Sequence, residues 1–112
     1  MKLDFYILEG LYSNHHIEFH ECDVVEHPKT FYPATKFPYA IQRSYIHKNE
    51  INKISGYSNN VVILLQPDAA RAKKIFLDLH NSKIENLRQS LSREERIVEA
   101  IKKFKSVWGD DK

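Results

Sequence analysis

Glycine and cysteine are scarce in this chain of 112 residues, which holds three glycines and one cysteine. A phosphate-binding loop needs closely spaced glycines, and Gly10, Gly56 and Gly109 lie too far apart to form one. The lone Cys22 excludes an internal disulfide framework and is typical of a protein from a reducing compartment. The sequence therefore excludes P-loop nucleotide binding and a disulfide-stapled fold.

Long apolar runs and a strong net charge are also missing. No run approaches the roughly 20 apolar residues that a bilayer-spanning helix requires. The start, Met1 to Asp4, carries an early acid and lacks a small-residue cleavage site, so it does not predict a signal peptide. We therefore expect a cytoplasmic protein without a membrane partner. The formal net charge of +2 is too small to indicate nucleic-acid binding by itself.

The chain is organised around a strand that leads directly into a helix. The run Val61–Leu65 is rich in β-branched residues and predicts a buried strand. Pro67 and Asp68 then fit the first turn of a helix, because proline lacks the amide hydrogen and a carboxylate is favoured there. We predict a single domain over residues 1–112, divided into a β-rich part (1–66), a helical part (67–108) and a frayed tail (109–112).

Alternation of apolar and polar residues predicts the earlier strands. Residues 2–8 form the first strand, with one buried face. His16–Val25 forms the second, with Ile17 and Phe19 facing the core. This register requires either a bulge near Glu21–Cys22 or a strand that leaves the sheet there. We expect a third strand at Tyr39–Ile46.

Residues 27–39 contain three prolines at five-residue spacing, which argues against a central strand. Four aromatic residues lie among the prolines. They indicate either a flap that covers the core or a loop that contacts a ligand or partner, since rigid rings lose little entropy on binding. The candidate binding residues are Phe31, Tyr32, Phe37, Tyr39 and Arg43.

The helical part is predicted to break once, because Ser92 and Glu95 form a capping box. One continuous helix from Asp68 to about Val107 is the alternative. Two helices would carry more apolar surface than a small sheet covers. This surplus predicts a homodimer, with an intramolecular helical hairpin as the alternative. The candidate interface residues are Leu87, Leu91, Ile97, Ile101, Phe104 and Trp108.

Histidines and acids cluster on the second predicted strand. His16, Glu18, His20 and Cys22 project from one face and are residue types that bind zinc. No paired ligand motif completes a tetrahedral set, so we interpret them as a solvated strand face and predict no metal and no cofactor. A dyad of Cys22 with a histidine lacks any recognisable oxyanion hole, so we predict no enzyme activity.

Basic residues of the helical part could contact phosphates. Interspersed acids weaken their potential, so nucleic acid is not the favoured partner. The basic candidates are Arg71, Lys73, Lys74, Lys83, Arg88, Arg93, Arg96, Lys102, Lys103 and Lys105.

The order of parts resembles a loose group of short proteins from phages and prophages of Gram-positive bacteria, in which a few strands precede a C-terminal helix containing alanine. The matching stretches are Pro28–Tyr32, His47–Ile54 and Val61–Phe76. The resemblance implies an accessory protein that acts in the host cytoplasm by binding and inhibiting a host or defence protein.

The predicted fold is α+β: a small antiparallel sheet or partly closed barrel of four or five strands, followed by one or two C-terminal amphipathic helices. The predicted function is a non-enzymatic binding protein. The alternatives are a nucleic-acid-binding regulator that uses the basic helical face, and a small-molecule binder that sequesters a nucleotide signal under the aromatic flap.

Overall fold

The computed structural model describes residues 1–10, 13–56 and 58–104. The chain divides into two compact units, Met1–Asp78 and Leu79–Lys112. The strands are β1 (Lys2–Glu9), β2 (His16–Glu26), β3 (Thr30–Pro33), β4 (Ile46–His47), β5 (Ile54–Ser55) and β6 (Val61–Leu64). A 3₁₀ turn (Lys48–Glu50) follows β4, and the helix α1 spans Ala69–Lys103. The α+β class is confirmed.

The six strands form one antiparallel sheet, in the order β4-β3-β2-β1-β6-β5, which curls into a half-barrel. Strand β1 lies near the centre, where Phe5 is opposite His20 of β2 and Ile63 of β6. The prediction was four or five strands, whereas the sheet contains six. Strands β4 and β5, of two residues each, are too short to show the alternation that predicts a strand.

One face of the sheet is covered by residues 34–45, which we call the flap. Phe37 and Ile41 of the flap are buried in a cluster that contains Leu3, Phe5 and Ile7 of β1. The Phe37 ring lies 6.0 Å from the Phe5 ring, measured between centroids. We call this face the flap side, and it contains the larger part of the core.

The opposite face, which we call the helix side, is covered by the first turns of α1. Ala72 and Phe76 pack with Tyr6, Val62 and Leu64. Strand β1 is therefore buried on both faces, and the prediction of one buried face is wrong. The reason is that β1 has a strand on each edge and a covering segment on each face.

Strand β2 differs from its predicted register. Ile17 and Phe19 are on the helix side and are 40% and 44% exposed, whereas Cys22 and Val24 are buried on the flap side. Pairing with β1 is continuous from Lys2–Asp23 to Glu9–His16, so both predicted alternatives, the bulge and the departure from the sheet near Glu21–Cys22, are wrong. No bulge is needed because the buried residues of β2 are those opposite the odd-numbered residues of β1.

The proline-containing segment does form a strand, contrary to the prediction. Strand β3 pairs with β2 on one edge and with β4 on the other. The prolines permit this because Pro28 lies in the turn before β3 and Pro33 is its last residue. The strand predicted at Tyr39–Ile46 is absent except for Ile46, because the flap crosses the core instead of extending the sheet.

Helix α1 begins after Asp68, whose carboxylate accepts a hydrogen bond from the Arg71 amide at 3.0 Å. The helix continues through Ser92 and Glu95, so the predicted break there is wrong. The alternative of one continuous helix is correct as far as Lys103, and its predicted end near Val107 lies outside the described residues. A serine and a glutamate three residues apart are also compatible with a helix interior. Residues 109–112, predicted to be a frayed tail, lie outside the described residues.

Substitution of Phe76 should destabilise the N-terminal unit. Phe76 is 4% exposed on the helix side, so we expect Phe76→Ala to lower the free energy of unfolding by about 3–5 kcal/mol. Leu77 on the same helix is 57% exposed, and Leu77→Ala should change it by no more than about 0.5 kcal/mol. Denaturant titration measures both values. Equal effects of the two substitutions would show that Phe76 does not anchor the helix.

Asp4 is a buried carboxylate in the centre of the sheet, where it lies between Glu21 of β2 and Leu64 of β6. Burial raises the pKa of Asp4, the charge of Glu21 raises it further, and Lys2 acts in the opposite direction. A raised pKa means that the folded state favours the protonated form. The stability that this contributes is present at low pH and is lost as the pH rises through the folded pKa.

We therefore expect Asp4→Asn to stabilise the protein at pH 7, by about 1 kcal/mol, because it removes a charge that burial disfavours. The gain should shrink at acidic pH, because the neutral form of Asp4 becomes more populated as the pH falls. Thermal melts at pH 7 and pH 4 test this, with the exposed Asp23→Asn of β2 as the matched control. A loss of stability at pH 7 in Asp4→Asn alone would contradict the argument.

Candidate binding surface

The predicted binding residues do not form one site. Phe31 and Phe37 are buried in the flap-side core, where they contribute to stability. Tyr32 and Tyr39 are exposed. The interpretation of the aromatic segment as a flap over the core therefore fits Phe37, whereas the rings of Tyr32 and Tyr39 lie at the surface.

Tyr32 belongs to a group of four exposed rings, which we call the outer aromatic row: His27, Tyr32, Tyr45 and His47. Neighbouring ring centroids are 4.7 Å apart for His27 and Tyr32, 5.5 Å for Tyr32 and Tyr45, and 5.2 Å for Tyr45 and His47. Such distances allow each ring to contact the next. The row is a continuous aromatic surface.

Strands β3 and β4 position this row by alternation of their side chains. Phe31 and Ile46 are opposite each other and point into the flap-side core. Neighbouring side chains of a strand point to opposite faces. The other face therefore carries Tyr32, which is next to Phe31, and Tyr45 and His47, which are next to Ile46. The row is thus attached to backbone that is fixed by two buried side chains. Val25 of β2 is opposite Tyr32 and is 53% exposed, which extends the surface.

His27, Tyr45 and His47 are not among the binding residues predicted from the sequence. Tyr45 belongs to the strand predicted at Tyr39–Ile46, of which the structure contains only Ile46. The alternating pairs Phe31-Tyr32 and Ile46-His47 could have indicated two short strands with one aromatic face. Strands this short are difficult to distinguish from turns.

Arg43 is engaged within the chain. Its guanidinium donates two hydrogen bonds to the Glu50 carboxylate, at 3.0 and 2.5 Å, and lies 3.5 Å from the Ser55 hydroxyl. Burial acts to raise the pKa of Glu50, but hydrogen bonds from Arg43, the His47 amide and Ser55 outweigh it and hold that pKa below its usual value. Glu50 thereby connects the flap, the 3₁₀ turn and strand β5.

An open cavity of about 420 Å³ lies beside this ion pair. Its lining includes Ile41, Arg43, Glu50 and Ser55. The charged groups that face it already satisfy each other, so a charged ligand would have to displace one of them. On the inner side of the flap, its own residues Phe37 and Ile41 pack into the core.

The histidine cluster on β2 forms a hydrogen-bonded group on the flap side. The Glu18 carboxylate lies 3.2 Å from both His16 and His20. The hydrogen bonds from His16 and His20 lower the pKa of Glu18, and the Asn14 carbonyl, followed by Glu18, raises the pKa of His16. Within residues 1–10, 13–56 and 58–104, no three His, Cys, Asp or Glu side chains are grouped to hold a metal ion.

Two further side chains near this cluster are held by specific contacts. The Tyr39 hydroxyl donates to the Glu9 carboxylate, which raises the pKa of Tyr39 to about 12. Cys22 is buried, and its thiol points to the carbonyl oxygens of Lys36 at 3.4 Å and Asp23 at 3.5 Å. Burial raises the pKa of Cys22, so the thiolate that a nucleophile requires is disfavoured.

The candidate interface residues of α1 are exposed. Leu87, Leu91, Ile97, Ile101 and Phe104 have exposed fractions between 44% and 69%, and Trp108 lies outside the described residues. The basic helical residues up to Lys103 are exposed as well, and Lys105 is not described. Lys74 pairs with Asp78 at 2.9 Å and Lys102 with Glu99 at 3.9 Å. These acids reduce the positive potential along the helix.

Removal of the Glu50 carboxylate should change how stability depends on pH. Its lowered pKa means that Glu50 contributes stability above its usual pKa of 4.5, and that this contribution is lost as the pH falls through the folded pKa. We expect Glu50→Gln to be less stable by about 1–2 kcal/mol at pH 7 and closer to the wild type at pH 3.

Denaturant titrations at pH 7 and pH 3 measure this difference, and the exposed Glu85→Gln on α1 serves as the control. The prediction is contradicted if Glu50→Gln lowers the free energy of unfolding by the same amount at both pH values. That result would show that ionisation of the Glu50 carboxylate does not stabilise the fold.

Comparison of the chain with protein-family models, with curated proteins and with solved structures gives no match. Helix α1 has the length to cross a bilayer, but charged residues occur throughout it, and within the described part of the chain no helix combines sufficient length with sufficient apolar character.

Proposed function

We propose that this protein is a non-enzymatic binding protein that contacts a partner protein through the outer aromatic row. The observation that carries the proposal is the continuous contact of four exposed rings on and beside strands β2, β3 and β4. Tyrosine is enriched where interfaces are energetically important, because its ring is large and rigid and its hydroxyl remains able to hydrogen-bond.

The environment of the row supports binding to a macromolecule. Tyr32 and Tyr45 are 39% and 37% exposed, so much of each ring is already fixed against its neighbours before a partner arrives. Fixing the rings in advance lowers the entropy cost of association. Beside the row lies an open depression of about 370 Å³ lined by Gln42, Arg43, Ser44, Tyr45 and His47. A partner side chain could insert there, next to the rings.

The class of partner follows from the resemblance to phage accessory proteins, which implies a host or defence protein of a Gram-positive bacterium. This identity stays a prediction. Nucleic acid is the competing partner, because bases also stack on exposed aromatic rings and the helix carries basic residues. The two partners differ in their response to nuclease and to salt.

Capture from a Gram-positive bacterial lysate tests the proposal. The full chain serves as bait, the lysate is treated with nuclease, and the bound proteins are quantified by mass spectrometry. We expect a protein that the wild type captures and that Tyr32→Thr/Tyr45→Thr does not. With the purified partner, the double variant should raise the Kd by about 30-fold or more, the effect of losing one hot-spot residue.

The matched control is Tyr39→Thr, which removes an exposed tyrosine outside the row. Threonine retains strand propensity, and circular dichroism checks that each variant is folded. Equal capture by the double variant and the wild type would contradict the proposal. Binding that nuclease abolishes would support the nucleic-acid alternative in its place.

A further inference from the structure

The C-terminal part of α1 carries an exposed apolar stripe. Ile84, Leu87, Leu91, Val98 and Ile101 are between 45% and 69% exposed. Their spacings of three, four, seven and three residues match the a and d positions of a heptad repeat, in which Glu94 occupies the missing d position. A stripe with this period suits a second helix, because supercoiling keeps a seven-residue repeat in contact with its partner.

The charged residues beside the stripe distinguish the possible partners. In the same heptad, Lys83 takes a g position, and Arg88 and Glu95 take e positions. A parallel pair of two copies would bring Glu94 of one copy against Glu94 of the other in the seam. It would also bring Lys83 of one copy near Arg88 of the other, since parallel helices pair g with the following e. Both contacts are repulsive.

An antiparallel pair removes these conflicts. If the pair is centred between Ser92 and Arg93, a positions face d positions of the second copy. Ile84 then lies opposite Ile101 of the second copy, and Leu87 opposite Val98. Glu94 faces Leu91 instead of another glutamate.

Along one edge of the same antiparallel seam, the e positions of one copy lie beside the e positions of the other. Arg88 of each copy is therefore next to Glu95 of the other. This attractive contact occurs twice because of the two-fold symmetry. On the other edge, Phe104 lies opposite Lys83 of the second copy, whose aliphatic stem can cover the ring. Ile97 lies opposite Ser90 and widens the apolar seam.

We propose that two copies of this protein associate through the segment Ile84–Ile101 as an antiparallel coiled coil in which Arg88 pairs with Glu95 of the second copy. The charges in and beside the seam favour a second copy of the chain as the occupant and disfavour the parallel orientation. Leu87, Leu91 and Ile101 form the seam, and Ile97 and Phe104 lie on its flanks.

Reversal of one charge distinguishes the two orientations, because it acts in opposite directions. In the antiparallel pair, Arg88→Glu would face Glu95, and the dimer Kd should rise by about tenfold. In a parallel pair the same substitution would face Lys83 and strengthen the dimer. In the antiparallel arrangement the double variant Arg88→Glu/Glu95→Arg restores the attractive pair that the single substitution removes, so its Kd should return to within about threefold of the wild type.

Sedimentation equilibrium of the full chain at micromolar concentration measures these constants. The matched control is Arg96→Glu, which makes the same charge change at an f position on the opposite side of the helix and should leave the Kd within about twofold. All these sites are exposed on the helix, and circular dichroism checks that the variants are folded. A monomeric wild type, a tighter Arg88→Glu dimer, or a double variant as weak as the single one would each overturn the proposal.

Discussion

Burial of strand β1 on both faces is the constraint on which the N-terminal unit depends. Strands β2 and β6 satisfy its two edges, while the flap and the first turns of α1 each cover one of its faces. A strand in this position cannot alternate between core and solvent, so every one of its central side chains must suit a buried environment. Asp4 is the exception, and burial raises its pKa as a result.

The same arrangement explains where a binding surface can form. The flap and helix cover β1 and β6 and leave the helix-side faces of β2 and β3 more exposed. Tyr32 and Val25 therefore remain at the surface while their sequence neighbours Phe31 and Val24 are buried. The outer aromatic row combines a rigid attachment with free access. This combination is what a protein-binding site on a strand requires.

Much of the architecture could be predicted from residue patterns, because strand β6 and the start of α1 carry strong and consistent signals. Val61–Leu64 is uniformly β-branched or aliphatic, and Pro67 and Asp68 mark the helix start. The register of β2 could not be predicted, because both of its faces carry apolar residues. Ile17 and Phe19 lie on one face and Cys22 and Val24 on the other, so either face could have been the buried one. Only pairing with β1 selects the buried set. The capping box at Ser92 and Glu95 was ambiguous in the same way. The same two residues can begin a new helix or lie inside a longer one, and the residues before Ser92 are good helix formers that let the first helix continue.

The candidate site was less predictable than the fold. Tyr45 and His47 join Tyr32 only because two-residue β4 pairs with β3, and a contact between residues so far apart in the chain leaves no local pattern. The aromatic content of residues 27–39 did indicate a special segment. It could not show which rings turn inward, because Phe31 and Tyr32 are adjacent and suit either environment.

The buried thiol of Cys22 gives the chain a built-in reporter of flap motion. Its hydrogen-bonding partner Lys36 belongs to the flap, and Cys22 is the sole cysteine of the sequence. Chemical modification of this sulfur requires the segment above it to open, so the rate of labelling by a thiol reagent measures how often the flap opens, without an introduced probe. A ligand that holds the flap closed would slow labelling, and a substitution that loosens the flap would accelerate it. Neither change would need to alter the intrinsic reactivity of the Cys22 thiol.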